Sequence, residues 1–431
     1  MTDRNSARPL SLFDITCIGV NAIVGSSIFL FPGRLAGMLG PASVLSFGLS
    51  GLLLSSVALC FAEASADFDG HGGPYLYARM AFGPSVGYGI GWLCWLAEVL
   101  SLAAVADGIA IYLGFFNPAW AAPVVVKSSA VLVIVVMGAI NYRGVKLGAW
   151  TSNFFTVAKL VPLLLFVAVG LPKLHWTNFA PFAPHGWKPM GAACLLTFFA
   201  YSGFEVVPVP AGEVGDAKKM VPIATIFSMA FSALLYMAIQ AAAVGARPDL
   251  ALSQQPLADA AAAVLGPWGA GFIVIGAVIS TAGFCAGCAL GGPRYLVALA
   301  DSGDWPKIFG ALHARYRTPW LAIWTTTLLS IALALLLDFN KLVDITVVVV
   351  CAQYLSTCAA VPIIRKLTRR KHGFRVPGGI FLPAVGFVST LWLGSQASLG
   401  ELGWCFGMLA GGFVLKFILT RASQQAKILK N

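Results

Sequence analysis

The sequence predicts an all-α integral membrane protein with about 12 transmembrane helices, the first and sixth of them broken. Three observations carry this. Of 431 residues, 58% are hydrophobic and only 10% charged, and the mean hydropathy is +0.84. That balance excludes a soluble globular domain and a disordered chain. About twelve windows of roughly 20 mostly apolar residues recur, beginning near Leu12, Ala42, Val86, Val124, Ser152, Met190, Val221, Trp268, Trp320, Leu342, Leu382 and Leu402. Two of these windows contain residues for which a plain membrane anchor has no use.

The first is Ile18 to Gly33, which holds Gly19, Gly25, Ser26, Ser27, Pro32 and Gly33. In hydrocarbon every backbone N–H and C=O must be satisfied internally, so weak helix formers persist there where the backbone lines a cavity or meets a ligand. Close packing of neighbouring helices is the competing reading. A second segment of the same kind, Gly191 to Gly212, contains Phe199-Ala200-Tyr201-Ser202-Gly203-Phe204-Glu205, then Pro208 and Pro210. Paired interruptions in two halves point to a transport site between them. The expected division is a tail over 1–11, a first repeat over 12–172, an inverted second repeat over 190–366, two further helices over 380–420 and a tail over 421–431.

Between these landmarks the elements follow in order. Glu63 ends the second span, and the glycines and Pro74 after it predict a re-entrant turn or a short helix before Phe82-Gly83-Pro84. The third span contains Glu98 and, further along, Asp107. A mid-bilayer carboxylate costs about 2.5 to 3.5 kcal/mol on insertion scales, so Glu98 calls for a structural partner or a function. The fourth span ends in Asn141-Tyr142-Arg143-Gly144-Val145-Lys146, and the fifth carries Lys159 near its middle. At 1.5 Å per residue the interface lies roughly 15 Å away, too far for a lysine stem to snorkel. Lys159 must therefore point into the bundle and meet carbonyls or a carboxylate such as Glu98. The segment Pro256 to Leu265 reads as a helix across the outer mouth.

Lys and Arg are placed unevenly. Arg4, Arg8, Arg79, Arg143, Lys218, Lys219, the run from Arg365 to Arg375, Lys427 and Lys430 fall on the side of both termini, whereas the opposite side keeps Arg34, Lys127, Lys173, Lys188, Arg247 and Lys341. Both termini are thus expected in the cytoplasm, the chain being integral to the cell membrane and multi-pass. The net charge of +11 follows from that asymmetry and implies no nucleic acid partner. The N-terminal polar tail is short and runs straight into the broken segment, so no cleavable signal is expected. Nine scattered cysteines are odd in number and form no disulfide framework. Cys285 and Cys288 lack the further His or Cys that a metal site would need, and no metal or other cofactor is expected.

Taken together, these residues resemble the amino acid/polyamine/organocation (APC) superfamily of secondary transporters over nearly the full chain. Gly25-Ser26-Ser27-Ile28-Phe29 is similar to that family's first helix, and Phe199 through Glu205, with Glu213 and Pro222, to its sixth. Gly72-Gly73-Pro74-Tyr75, Asn141 through Lys146, and Arg294 through Pro319 match in their expected places. The sequence departs at Ser27, where the family most often has Gly, and in lacking the usual proline before Gly72.

The resemblance implies alternating-access transport of an amino acid. Where the first helix breaks, N–H groups of its outer half near Gly25, Ser26 and Ser27 suit a carboxylate. Carbonyls ending the inner half at Val20 to Ile23, with those from Phe199, Ala200, Tyr201, Ser202 and Gly203, suit an ammonium. Phe199 and Tyr201 are expected to border the side-chain pocket, and Phe199 to help close the outer gate. Lysine in the fifth helix stands in for sodium in many relatives, so Lys159, with Glu205 and Glu98, is a candidate for proton coupling; hydroxyls of Ser280 and Thr281 keep sodium open. Glu205 has a second reading, hydrogen-bonding the broken backbone.

The expected partners are an amino acid substrate, a proton and membrane lipid. A small or medium neutral amino acid is favoured, with a cationic amino acid or polyamine kept open by Glu98. An intramembrane enzyme is disfavoured because His71, His175, His185, His313 and His372 all lie in loops and no H-E-x-x-H or Walker A motif occurs. A channel lacks a repeated filter motif. A sensor that binds without transporting is separable only by flux.

Overall fold

The computed structural model describes residues 10–65, 73–144, 149–207, 216–368 and 374–428. Helices follow the predicted windows in order. α1 is Leu12–Ile23, α2 Ser27–Leu39 and α3 Ser43–Ser65. α4, Pro74–Phe82, is the short helix expected before Gly83, and α5, Pro84–Leu113, carries both Glu98 and Asp107. Then come α6, Pro123–Tyr142; α7, Ala149–Gly170; α8, Met190–Tyr201; α9, Ala217–Ala246; and α10, Pro256–Leu265. The remainder is α11, Pro267–Asp301; α12, Trp320–Leu336; α13, Phe339–Thr368; α14, Phe381–Gly394; and α15, Leu399–Ile428. Several sequence landmarks lie outside the described residues: most of the N-terminal tail, His71 and Gly72, Val145 and Lys146, Pro208, Pro210, Gly212 and Glu213, the basic run over 369–373 with His372, and Lys430.

Among the described residues, eight stretches are long and apolar enough to cross a membrane, which makes this a multi-pass membrane protein. Four predicted windows fall short of that length for two reasons. The first and sixth are cut by breaks, leaving α1 and α8 at 12 residues each. α12 and α14 are compact, at 17 and 14 residues. The helix expected over Pro256 to Leu265 forms as α10 and buries Leu257, Ala258, Ala260 and Ala261.

In lipid there is little hydrophobic drive between helices, so close contact and polar cross-links hold the bundle. Gly276 of α11 lies so near α7 that a Cβ there would sit 2.5 Å from Pro162 Cγ. Asp107 on α5 accepts from Lys127 Nζ at 2.9 Å, and the same ammonium donates to Leu337 O at 2.7 Å, tying α5 and α6 to the end of α12. Pro293 inside α11 has no N–H to give Ala289 O. The amide of Asn141, the first residue of the motif closing α6, donates to that carbonyl at 2.6 Å.

A bidentate cross-link joins α3 to α13. Arg365 Nε and Nη2 each lie 2.6 Å from the two carboxylate oxygens of Glu63, and Val376 N donates to Glu63 Oε2 at 2.7 Å. Glu63 is only 5% exposed, so removing its partner strands a buried charge. Arg365→Ala should destabilise the fold by about 3–5 kcal/mol, read as a lowered thermal unfolding midpoint in detergent. The double change Glu63→Gln with Arg365→Met should recover most of the loss, and an unchanged midpoint in Arg365→Ala would show the pair to be dispensable.

Candidate functional site

The site is built from two helix ends that face each other. α1 stops at Ile23 because Val24 leaves the helical region, at ψ 84°. Its N–H still reaches Val20 O at 2.8 Å, and Gly25 N turns back to Ile23 O at 2.8 Å. α2 restarts after Ser26, whose hydroxyl caps nothing. The Ser26 Oγ is buried with no hydrogen-bond partner, and Ser27 is 3% exposed. Gly25 lies against the Phe284 ring, so that a Cβ would meet Cδ2 at 3.2 Å. The start of α2 therefore presents backbone donors and an unpaired hydroxyl in a dry setting, which suits an anion.

α8 ends two residues before Gly203, which adopts φ 118°, a conformation that L side chains rarely enter. A Cβ there would sit 2.3 Å from Ala22 O, so the two breaks rest directly on each other. Glu205 reaches back to accept from Gly203 N at 2.8 Å, and the same oxygen, Oε2, accepts from Tyr354 OH at 2.9 Å. The arrangement fits the second sequence reading of Glu205, as a cap for the broken backbone.

The carbonyls expected to be free are largely occupied by protein donors. Asn21 O and Val24 O accept from Lys159 Nζ at 3.0 and 2.7 Å, and Ser280 Oγ donates to Val24 O at 3.3 Å. Tyr236 OH on α9 lies 2.8 Å from Ile23 O and 3.0 Å from Ala200 O, bridging the two breaks. Phe199 O accepts from Ser202 Oγ at 2.7 Å. The physical reason is general: a buried carbonyl left unpaired costs free energy, so neighbours fill the vacancy that the break creates.

Lys159 is fully buried, as its distance from either interface demands. Its partners are carbonyls, and among the described residues no carboxylate pairs with it, so the Glu98 ion pair is not formed. Glu98 instead faces α11, where a Cβ at Gly291 would lie 3.5 Å from its Oε1 and one at Gly292 3.2 Å from its Cβ. The Thr281 hydroxyl donates to Ala277 O of its own helix at 2.7 Å.

Phe199 and Tyr201 part company. The Phe199 ring lies 6.0 Å from that of Phe31, which in turn lies 6.4 Å from Phe339. One turn beyond Phe31, Arg34 bonds Asp344 at 3.0 Å and Asn340 at 3.2 Å. Tyr201 turns towards α3 and α9, donating to Phe47 O at 2.8 Å and packing on Tyr236 with centroids 5.3 Å apart. Tyr236, Tyr354, Phe284 and Phe31 escaped the sequence reading. The available signal was a tyrosine deep in an apolar span, whose hydroxyl must find a partner.

A family model described as amino acid permease matches residues 10–399. The chain is 30% identical to the methylthioribose transporter of Bacillus subtilis (strain 168), over 97% of this chain and 94% of that protein. It is 27% identical to the branched-chain amino acid permease BcaP of the same organism, over 97% and 94%. It is also 29% identical to the vacuolar cationic amino acid transporter 2 of Arabidopsis thaliana, over 83% of this chain and 60% of that protein.

Gly203→Ala would have to overcome both the positive φ and the contact with Ala22 O, and should cost about 2 kcal/mol or more. We expect a clearly lowered unfolding midpoint in detergent. Gly287→Ala, where nothing lies within 4 Å, should leave the midpoint unchanged. Equal behaviour of the two variants would remove the direct contact between the breaks.

Proposed function

The chain belongs to the amino acid permease family of the APC superfamily, and on that premise we propose that it is a secondary active transporter moving amino acids across the cytoplasmic membrane by alternating access. It makes twelve crossings, built as two inverted five-helix repeats over 12–172 and 190–366 plus two helices, with both termini in the cytoplasm. The substrate carboxylate meets the start of α2 at Gly25, Ser26 and Ser27. Its ammonium takes acceptors at Ile23 and in the Phe199–Gly203 segment, sharing Ile23 O and Ala200 O with Tyr236. The Phe31, Phe199 and Phe339 rings, with the Arg34–Asp344 pair, close the outer approach.

The observation that carries this reading is the Lys159 ammonium on the Asn21 and Val24 carbonyls. A fixed cation there opposes entry of a second one, since like charges a few ångströms apart in a poorly screened site repel strongly. Transport is therefore sodium-independent and either proton-coupled or exchanging. When Lys159 gives up its proton its grip on both carbonyls weakens, which frees the inner end of the first span to shift. A neutral substrate is favoured because the breaks carry no free anion beyond Glu205, which is engaged with Gly203 and Tyr354. A second reading, a cationic amino acid or polyamine, is favoured by Glu98, a carboxyl that faces the Gly291–Gly292 backbone. Binding without transport, as in a sensor, is the different-class alternative.

The test is uptake into sodium-free proteoliposomes, with and without an inward proton gradient. The labelled panel should span neutral, branched-chain and cationic amino acids and methylthioribose. Gradient-driven uptake by the wild type that disappears in Lys159→Ala is the expected result. Uptake that needs only internal substrate makes the protein an exchanger, and binding without flux for every compound overturns transport. Tyr236→Phe should raise KM roughly fivefold, the worth of one hydrogen bond, with a smaller change in maximal rate.

A further inference from the structure

α1 is a short helix with two different seams. Towards α9 and the segment following α8 it is packed backbone-close: a Cβ at Gly19 would lie 2.5 Å from Ser228 Oγ and 2.8 Å from Val207 Cγ2, and two α9 hydroxyls bond its carbonyls, Ser228 Oγ to Thr16 O at 3.3 Å and Tyr236 OH to Ile23 O at 2.8 Å. Ile15, Val207 and Ala224 form an apolar cluster on that side.

Towards α7 the seam carries a hydrogen bond on every turn of α1. Asn153 Nδ2 donates to Asp14 Oδ1 at 2.8 Å, Thr156 Oγ1 to Cys17 O at 3.0 Å, and Lys159 Nζ to Asn21 O and Val24 O. The donors recur every three residues along α7, and the acceptors fall at 14, 17, 21 and 24, the spacing of one helix face. In each of these rungs the donor is on α7 and the acceptor on α1. Cys17 O and Asn21 O belong to α1's own helical backbone, and Val24 O lies just past its end.

We infer that Asn153 and Thr156 are positioning residues of the coupling site, forming with Lys159 a three-rung ladder along which the inner half of the first span separates from α7 while it stays seated on α9. This rests on the transport reading above and adds to it the seam that opens. Two physical points support the α7 side. An isolated 12-residue helix is marginal and takes its orientation from its neighbours. And a seam of parallel hydrogen bonds can be released rung by rung to water, whereas the close-packed Gly19 face cannot part without leaving a void. Lys159 is the rung nearest the break, so its state is passed down the ladder to Thr156 and Asn153.

Cys17 offers a native reporter. It is 6% exposed and lies on the helix face that carries the ladder, so its thiol should gain access when that face parts from α7. The experiment is N-ethylmaleimide alkylation of the full-length protein in membranes, with the Cys17 peptide quantified by mass spectrometry. We expect Thr156→Val and Asn153→Ala each to speed Cys17 alkylation at least fivefold, Lys159→Ala to do so more strongly, and Thr156→Ser, which keeps the hydroxyl, to restore the wild-type rate. Ser228→Ala, on the α9 seam, should stay within twofold of wild type. Alkylation of the buried Cys194 distinguishes opening from unfolding: it should remain slow in all variants, and a variant in which it rises is read through the Thr156→Ser comparison. Unchanged Cys17 rates in both ladder variants, or exposure through Ser228→Ala instead, would overturn the ladder. The readout needs no substrate, so the two failures are told apart: absence of flux in proteoliposomes removes the transport reading on which this one rests, whereas unchanged Cys17 rates remove the ladder alone.

Discussion

The structure depends on one constraint: in hydrocarbon a backbone carbonyl released from a helix must be given another partner. Breaking α1 at Val24 and α8 at Ser202 releases several at once. The protein answers with side chains from three other helices, Lys159 from α7, Tyr236 from α9 and Ser280 from α11. These donors also fix where the breaks lie relative to one another. Gly203 resting on Ala22 and Tyr236 bridging Ile23 to Ala200 make one unit of two interruptions nearly 180 residues apart in sequence.

The rest of the bundle provides the frame against which such a unit can work. The Asp107–Lys127 pair, the Asn141 amide on Ala289 O and the Glu63–Arg365 clamp each lie where an apolar interface alone would let helices slide. Each also settles a charged or polar group that hydrocarbon would otherwise penalise. Proline explains one of them directly, since Pro293 opens the vacancy that Asn141 fills. A side-chain donor on an orphaned backbone carbonyl thus recurs in the frame, where Asn141 fills the vacancy at Ala289, and at the breaks, where Lys159 and Tyr236 do.

Much of this was legible before any coordinates. Gly25, Ser26, Gly203 and their prolines marked the breaks, because weak helix formers in hydrocarbon need a reason to be there. Lys159 had to face inward, because its stem cannot reach water. What pattern could not show was which partner each group takes. Glu98 and Lys159 are both buried and opposite in charge, yet they do not meet: the lysine took two carbonyls, and the carboxyl faces Gly291 and Gly292. The sequence puts Tyr201 at the pocket with Phe199, yet its hydroxyl donates to Phe47 O on α3. Tyr236 passed unremarked because a lone tyrosine in an apolar span has no sequence period to betray its target.

Sequence by itself determined the class of molecule, the order of its helices, the two places where helices stop, and the inward pointing of its one mid-span lysine. Those follow from hydropathy, from glycine and proline, and from the reach of a side chain, all of which are local. Tertiary structure alone decided how the breaks touch, which donors fill their vacancies and which seam of α1 is close-packed. Hydrogen bonds are short-ranged and directional, so the choice among several possible acceptors waits until packing has brought one of them within about 3 Å.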